Sequence, residues 1–311
     1  MEIIYPFSTS VNPLSEEIDK KVIDWAEDIG LLHTREMTNI VIQMKINWFA
    51  SCLYPKADSI RLLPISKLFL ILFLLDDFID NRADPPNRGF VFQLFKDFVD
   101  ILYGREVKLK NPYTTAFSSF CTEWKAIVEA KGFKVFSHYF IEYISFQTWE
   151  IDLNRKNEIP STNQYSCNRP IASGAYLAVY FLRDMHNLIS VDDLSIAIQL
   201  KDLEAKATLL ICLANDLTSF YKELKEGSFY NYVIILIKKY GVLTSTAISM
   251  AEKKHHSILF QFNQHCSYIV KSPETRLPYY LDSLKSMIAG SNYWSYMETN
   301  RYYHMANGKI I

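Results

Sequence analysis

Two short runs of oxygen-bearing side chains could do chemistry. The first is Leu74-Leu75-Asp76-Asp77-Phe78-Ile79-Asp80. In a helix, Asp76 and Asp80 at i and i+4 share one face, and Asp77 lies about 100° round. Carboxylates set straight after a run of core residues need something to offset their desolvation. Hard divalent cations do this, since Mg²⁺ takes oxygen ligands and bridges carboxylates to substrate phosphates. The same run also suits a helix that leaves the core and ends in a solvated acidic turn, although acid at a helix C-terminus opposes the macrodipole.

The second run is Asn215-Asp216-Leu217-Thr218-Ser219-Phe220-Tyr221-Lys222-Glu223. Asn215, Ser219 and Glu223 at i, i+4 and i+8 drift only about 80° and line one stripe of oxygen donors. Thr208 to Ala214, upstream, is largely apolar, so this stripe also leaves a buried helix. Lys222 flanks it and could meet an anion. An amphipathic helix turning its polar face outwards would read the same way. Two such stripes in one chain are harder to dismiss than one.

The elements that must carry these residues are helical. The chain has 311 residues with nine glycines and eleven prolines, about half the roughly 12% usual for these two types. A sandwich, propeller or βαβ protein would want more of both at its turns. Helical patterns are expected over 16–32, 34–52, 60–80, 88–104, 114–131, 134–156, 163–187, 192–204, 205–225, 229–240, 243–270 and 274–302, with Ser15 as the N-cap of the first. Breaks are expected at Asp84-Pro85-Pro86, Asn111-Pro112, Ile159-Pro160-Ser161-Thr162, Glu226-Gly227-Ser228 and Ser272-Pro273. No repeat, low-complexity segment or long linker interrupts the pattern. This predicts one all-α domain over 1–311, with 1–12 a flexible lead-in.

Composition narrows the partners. Lys and Arg total 33 against 34 Asp and Glu, a net charge of −1, so overall basicity does not point to nucleic acid or an anionic membrane. The run Leu68–Leu75 is too short for a membrane span of about 20 residues. Five dispersed cysteines without a CxxC pair argue against a disulfide framework or a cysteine zinc site and favour a reducing compartment, the cytoplasm. No secretory signal is read at the N-terminus.

The motifs Asp76-Asp77-x-x-Asp80 and Asn215-Asp216-x-x-Ser219-x-x-x-Glu223 together resemble class I terpene synthases of the microbial, single-domain type. Arg169 lies 46 residues before Asn215, where that family places its pyrophosphate-sensing arginine, and Arg301-Tyr302 matches its RY pair. Asn231-Tyr232-Val233 also looks familiar. The resemblance covers about 60–302 and implies a helical bundle with the active site in its core. It implies that Asp76 and Asp80, with Asn215, Ser219 and Glu223, hold three Mg²⁺, Mn²⁺ being a substitute. Asp77 is either a peripheral ligand or an anchor for basic residues. Arg169, Lys222, Arg301 and Tyr302 would contact the diphosphate. The helix-break region Arg169–Gly174 would supply an effector carbonyl, at Ser173 or Gly174.

Such chemistry ionises a prenyl diphosphate and guides the cation in a dry pocket with aromatic faces. Phe73 sits one turn ahead of Asp76-Asp77. Trp294 is seven residues before Arg301, on nearly the same face of a continuous helix. Phe146 and Trp149 lie on the helix before Pro160. For all four, core packing is the plainer alternative. Farnesyl diphosphate is the default substrate by resemblance, with geranyl and geranylgeranyl diphosphate open. A chain-elongating prenyl transferase would want a second aspartate-rich motif where Asn215, Ser219 and Glu223 stand, and a non-catalytic helical binder would need no such stripes. A homodimer stays open. His255-His256, in a lysine-rich stretch, reads as solvated, and Cys212 as inert filler.

Overall fold

Local capping chemistry fixes where most helices begin. The computed structural model describes residues 3–80, 86–191, 193–270 and 274–302, and the backbone of 305–306 and 309–310. The described helices are α1 (Ser15–Asp28), α2 (Arg35–Gln43), α3 (Trp48–Leu53), α4 (Ser59–Ile79), α5 (Arg88–Leu102), α6 (Pro112–Ile127) and α7 (Ala130–Lys156). They continue with α8 (Thr162–Ala172), α9 (Ala175–Met185), α10 (Leu194–Glu226), α11 (Tyr232–Tyr240), α12 (Thr244–Ile269) and α13 (Leu277–Tyr293). A π-helical turn, Trp294–Glu298, follows, and beyond it Met305–Ala306 pairs antiparallel with Lys309–Ile310. Asp58, Asn87, Asn111, Ser161, Asp193 and Asn231 each accept backbone N–H groups from the first turn of the helix they precede, satisfying donors that a helix start leaves unpaired.

The all-α expectation holds, and the helix ends show where tertiary contacts override local pattern. The helix expected over 34–52 is broken at Lys45, which is left-handed with φ 48°. The two carbonyls at this break are taken from far along the chain: Trp294 Nε1 donates to Lys45 O at 2.8 Å and Thr299 Oγ1 to Met44 O at 2.5 Å. The helix expected over 163–187 divides at Gly174, φ 73°, a conformation that glycine adopts without a Cβ penalty. The two expected over 192–204 and 205–225 are one, α10, since no breaker separates them. Ser15 is not the cap of α1. It is the first helical residue, and Asn12 Oδ1 accepts the Leu14 N–H at 3.0 Å instead. The breaks expected at Asp84-Pro85 and Ser272-Pro273 lie outside the described residues.

Helices α4 and α10 form the centre. Leu62, Leu68, Leu70, Ile71 and Leu75 of α4 are fully buried, and a helix apolar all round must be enclosed by others. It packs on α1, α3 and α6, while α10 packs on α8, α9, α11, α12 and α13. Helix α13 also lies so close to α3 that a Cβ on Gly290 would stand 1.9 Å from the Cys52 carbonyl oxygen. Both oxygen-bearing stripes therefore sit in the final turns of the two central helices. Among the described residues no helix is long and apolar enough to cross a membrane.

Residues 3–12, expected as a flexible lead-in, make defined contacts. Asn292 Nδ2 donates to Ile3 O at 2.9 Å, and Asn12 Nδ2 donates to the Tyr54 and Ala57 carbonyls at 2.9 Å each. Tyr5 lies 2.7 Å by its hydroxyl from His255 Nε2. This corrects the reading of His255-His256 as solvated: His256 is exposed, but His255 is fully buried on the inner face of α12. Burial, aided by the charge of His256, pushes its pKa down to about 4 from 6.5. Because the folded protein resists this proton, the stabilisation is complete above pH 6.5 and is lost as pH falls towards 4. The loss is on the order of 3 kcal/mol. Melting midpoints between pH 7.5 and 4 should fall, and a His255→Gln variant should flatten that slope; an equal slope in both would remove His255 as its source.

Candidate active site

One cavity gathers most of the candidate residues. Along α4 its lining runs Phe69, Leu72, Phe73, Asp76, Asp80, and along α10 it runs Ile211, Cys212, Asn215, Lys222, Glu223. Both helices thus pass from apolar to charged towards their C-terminal ends, which gives the cavity one polar end and one apolar end. Helix α7 adds Tyr143, Gln147, Glu150 and Asn154, and the α8–α9 break adds Arg169 and Ala172 to Ala175. Trp294, Arg301 and Tyr302 close the wall from the C-terminal segment.

The polar end is a lattice of opposed charges. Arg301, 7% exposed, grips Asp77 through both carboxylate oxygens, at 2.8 Å from Nη1 and 2.5 Å from Nη2. Its Nη2 stands 3.9 Å from Asp76. Asp77 is thereby turned to the arginine and does not line the cavity, whereas Asp76 and Asp80 do. Arg169 Nη2 donates to Asn215 Oδ1 at 3.3 Å and to Asp216 Oδ1 at 3.2 Å. Asp216, fully buried, also accepts the Tyr232 N–H at 2.5 Å. Asn215 Nδ2 donates to the Tyr302 hydroxyl at 3.0 Å, joining the second motif to the C-terminal segment. Asn231 Nδ2 donates to Glu223 Oε2 at 3.0 Å while the same side chain caps α11, so the cap also orients a candidate ligand.

Negative charge is in excess there. Burial, then the neighbouring Asp77, pushes the Asp76 carboxyl up. Enclosure by the cavity walls, then Asp76 and Glu223, raises Asp80 to about 8, although its side chain stays exposed. Burial and the same acids hold Glu150 well above the usual carboxylate range against the pull of Arg169. Asp216 is raised to about 6 by burial, despite Arg169. Burial opposes the charge of Arg169, but Asp216 and Glu223 outweigh it and keep the guanidinium protonated.

The donors fit divalent cations. Ser219 is fully buried one turn after Asn215, and its hydroxyl has no hydrogen-bond partner among the described residues. Asp76 and Asp80 repel one another in a setting that cations would relieve. Among the described residues no three His, Cys, Asp or Glu side chains make a ready metal cluster. The donors are instead split between two helices and mixed with Asn215 and Ser219. That suits Mg²⁺, which keeps waters and shares its shell with substrate phosphates. Arg169 Nε is likewise buried without a partner and available to an anion.

The apolar end is aromatic. Phe49, Phe69, Phe73 and Trp294 line it, with Phe49–Trp294 centroids 4.9 Å apart and Phe73–Trp294 5.5 Å apart. Phe73 and Trp294 fall where expected, but Trp294 for a different reason. The continuous helix presumed to align it with Arg301 ends at Tyr293, and the π turn swings the indole onto Lys45 O and into the wall. Phe146 and Trp149 do not line the cavity. Partly buried, they pack against a second core, Trp149 on Tyr230 at 5.3 Å, so that Tyr230 stands between Trp149 and the cavity it lines. Sequence reasoning missed Phe49, Phe69, Tyr143, Gln147 and Glu150. The last three had a signal: with Asn154 they recur at intervals of four, three and four residues, a single helix stripe.

At the α8–α9 break the backbone carbonyls are nearly all engaged. Arg169 O accepts Ser173 N–H at 2.9 Å, Ile171 O accepts Gly174 N–H at 3.1 Å, and Gly174 O accepts Leu177 N–H at 3.0 Å and Ala178 N–H at 3.2 Å. Gln147 Nε2 donates to Ala172 O at 2.6 Å. The Ser173 carbonyl accepts no hydrogen bond among the described residues.

A helical cavity with oxygen donors on two helices and Arg169 and Arg301 among them fits the class of all-α metal-binding enzymes. Residues 67–259 match the family model described as terpene synthase family 2, C-terminal metal binding. The chain belongs to that family. It is 24% identical over 302 residues to a (+)-T-muurolol synthase ((2E,6E)-farnesyl diphosphate cyclizing) of Roseiflexus castenholzii, covering 96% of this chain and 92% of the relative. It is 27% identical over 245 residues to a 4-epi-cubebol synthase ((2E,6E)-farnesyl diphosphate cyclizing) of Streptosporangium roseum, covering 76% and 71%. Among solved structures, linalool/nerolidol synthase from Streptomyces clavuligerus superposes with a TM-score of 0.83 at 16% identity, covering 94% of this chain and all of that one, a likeness of fold.

Proposed function

We propose that this protein ionises farnesyl diphosphate in an Mg²⁺-dependent reaction and converts the allylic cation into a sesquiterpene, releasing diphosphate. The observation that carries the reading is the division of one cavity into a charged end and an aromatic end. Its named relatives, which cyclise (2E,6E)-farnesyl diphosphate, support the chain length. Five free cysteines suit a cytoplasmic enzyme.

Asp76 and Asp80 on one side, with Asn215, Ser219 and Glu223 on the other, would hold three Mg²⁺. When bound, these ions supply Lewis-acid stabilisation of the departing diphosphate. Arg169, Lys222, Arg301 and Tyr302 bind and orient that diphosphate, Arg169 through its unpartnered Nε and Arg301 as a charge that Asp77 holds in place. As the C1–O bond breaks, its electron pair goes to the diphosphate oxygen, and these cations meet charge that grows in the transition state. Of the two carbonyls expected for the effector, the free acceptor at Ser173 is better suited than Gly174, whose oxygen is engaged twice. Phe49, Phe73 and Trp294 exclude water and offer π faces to the moving positive charge. The released diphosphate takes the final proton where an olefin forms.

The test is incubation with geranyl, farnesyl or geranylgeranyl diphosphate, with and without Mg²⁺, with organic extracts analysed by gas chromatography and mass detection. A metal-dependent sesquiterpene from farnesyl diphosphate is expected. Turnover only with added isopentenyl diphosphate would replace the reading with chain elongation. A Trp294→Leu variant should change the product ratios, since a cation–π contact is worth about 0.5–2 kcal/mol. Diphosphate release should stay within about tenfold of the parent. An unchanged product profile would return Trp294 to a packing role.

A further inference from the structure

We propose that Gln147 is a positioning residue for ionisation: its side-chain amide locks the Ala172–Ser173 peptide so that the Ser173 carbonyl keeps a fixed orientation in the cavity. The inference rests on the function proposed above and concerns a residue that neither metal motif contains.

Ending a helix inside a protein leaves its last carbonyls without amide partners. Helix α8 ends against the cavity, and the break settles these groups one by one. Arg169 O and Ile171 O are satisfied by the backbone at Ser173 and Gly174, and Pro170 O accepts the Ser173 hydroxyl at 3.4 Å. Because Gly174 turns left-handed, no backbone amide returns to Ala172 O. The gap is filled from a different helix, by Gln147 Nε2 at 2.6 Å, from a side chain only 6% exposed. The Ser173 hydroxyl lies 3.2 Å from Cys212 Sγ on α10. Ser173 is therefore held from α7 through the peptide before it and from α10 through its side chain, and its own carbonyl is the acceptor left free.

A carbonyl dipole helps a nascent cation only if it already points the right way, because reorientation during the reaction would consume the benefit. Helix α7 is well placed to supply that rigidity. Tyr143 and Glu150, one turn to either side of Gln147, line the same cavity, so Gln147 sits on the wall yet spends its amide on the backbone. Losing that donor would leave Ala172 O buried and unpaired and would free the break to rotate. Diphosphate binding would change little, since Asn215 and Asp216 hold the Arg169 side chain from α10 and Lys222 and Arg301 lie on other elements.

The experiment compares Gln147→Met, which keeps length but has no donor, with Gln147→Leu, which fills the space with a shorter apolar group and also has no donor. Steady-state kinetics use farnesyl diphosphate with Mg²⁺, and calorimetry measures inorganic diphosphate binding with Mg²⁺. The expected result for both variants is a kcat lower by about 10- to 100-fold. KM and diphosphate affinity stay within about threefold, a split that mere loosening of the cavity would not produce. A kcat within about threefold of the parent in both variants would overturn the proposal. So would parallel losses of kcat and diphosphate affinity, which would mark Gln147 as a general support of the cavity. If the parent itself releases no diphosphate from farnesyl diphosphate, the functional reading fails and this inference goes with it.

Discussion

Asp76→Asn is expected to lower metal-dependent diphosphate release by about 10³-fold or more. The asparagine keeps the shape and one neutral oxygen but removes the charge that would hold a divalent cation at the α4 side of the cavity. The expected signature separates a ligand from a structural residue. Enclosure in the cavity, then the charge of Asp77, favours the neutral form of the half-exposed Asp76 carboxyl, so the substitution relieves repulsion in the metal-free protein. The melting midpoint without metal should hold or rise, while its increase on adding Mg²⁺ and inorganic diphosphate should shrink. Near-parent turnover would remove Asp76 from the metal site. Lost turnover with a lower metal-free midpoint would mark the residue as part of the fold.

Asp216→Asn is expected to be the costliest change for stability. Asp216 has no access to solvent, and it balances Arg169 while accepting the Tyr232 N–H. Removing one partner of a buried pair leaves the other uncompensated, at a cost of about 3–5 kcal/mol. Release of diphosphate should also fall, because Arg169 would lose the carboxylate that sets its direction. The double variant Asp216→Asn/Arg169→Gln tests the cause. With the stranded cation gone, stability should return part of the way, while activity should not. Losses that simply add in thermal melts would show the two residues to be uncoupled.

The sequence made the polar end of the cavity legible because both motifs lie within single helices, where spacing converts directly into direction. Asp76 and Asp80 share a face of α4, and Asn215 and Glu223 share a face of α10, as the helix period requires. What escaped is what depends on contacts between distant segments. Phe146 and Trp149 were indistinguishable in type from Phe49 and Phe69, and only their packing against the second core sets them apart. The break at Lys45 has no glycine or proline to announce it, since its cause lies in Trp294 and Thr299. His255 looked solvated among lysines because its partner, Tyr5, comes 250 residues earlier. Glu150 and Gln147 stood on a periodic stripe of α7 but belong to no motif, and their surroundings alone reveal them.

The clasp between the Lys45 turn and the C-terminal segment has a consequence for how the chain matures. Asp77 meets Arg301 across 224 residues, Lys45 meets Trp294 across 249, and Met44 meets Thr299 across 255. During synthesis, α4 emerges long before the arginine that neutralises its end, and pairings this remote must first overcome the entropy of closing a long loop. The acidic end of α4 therefore meets the arginine that pairs with Asp77 only once the C-terminal segment has been made. A chain stopped short of Trp294 would keep its central helices but leave the aromatic wall open and Asp77 unanswered. Completion of the cavity wall is thus tied to the arrival of the segment from Trp294 to Arg301, beyond the last α-helix.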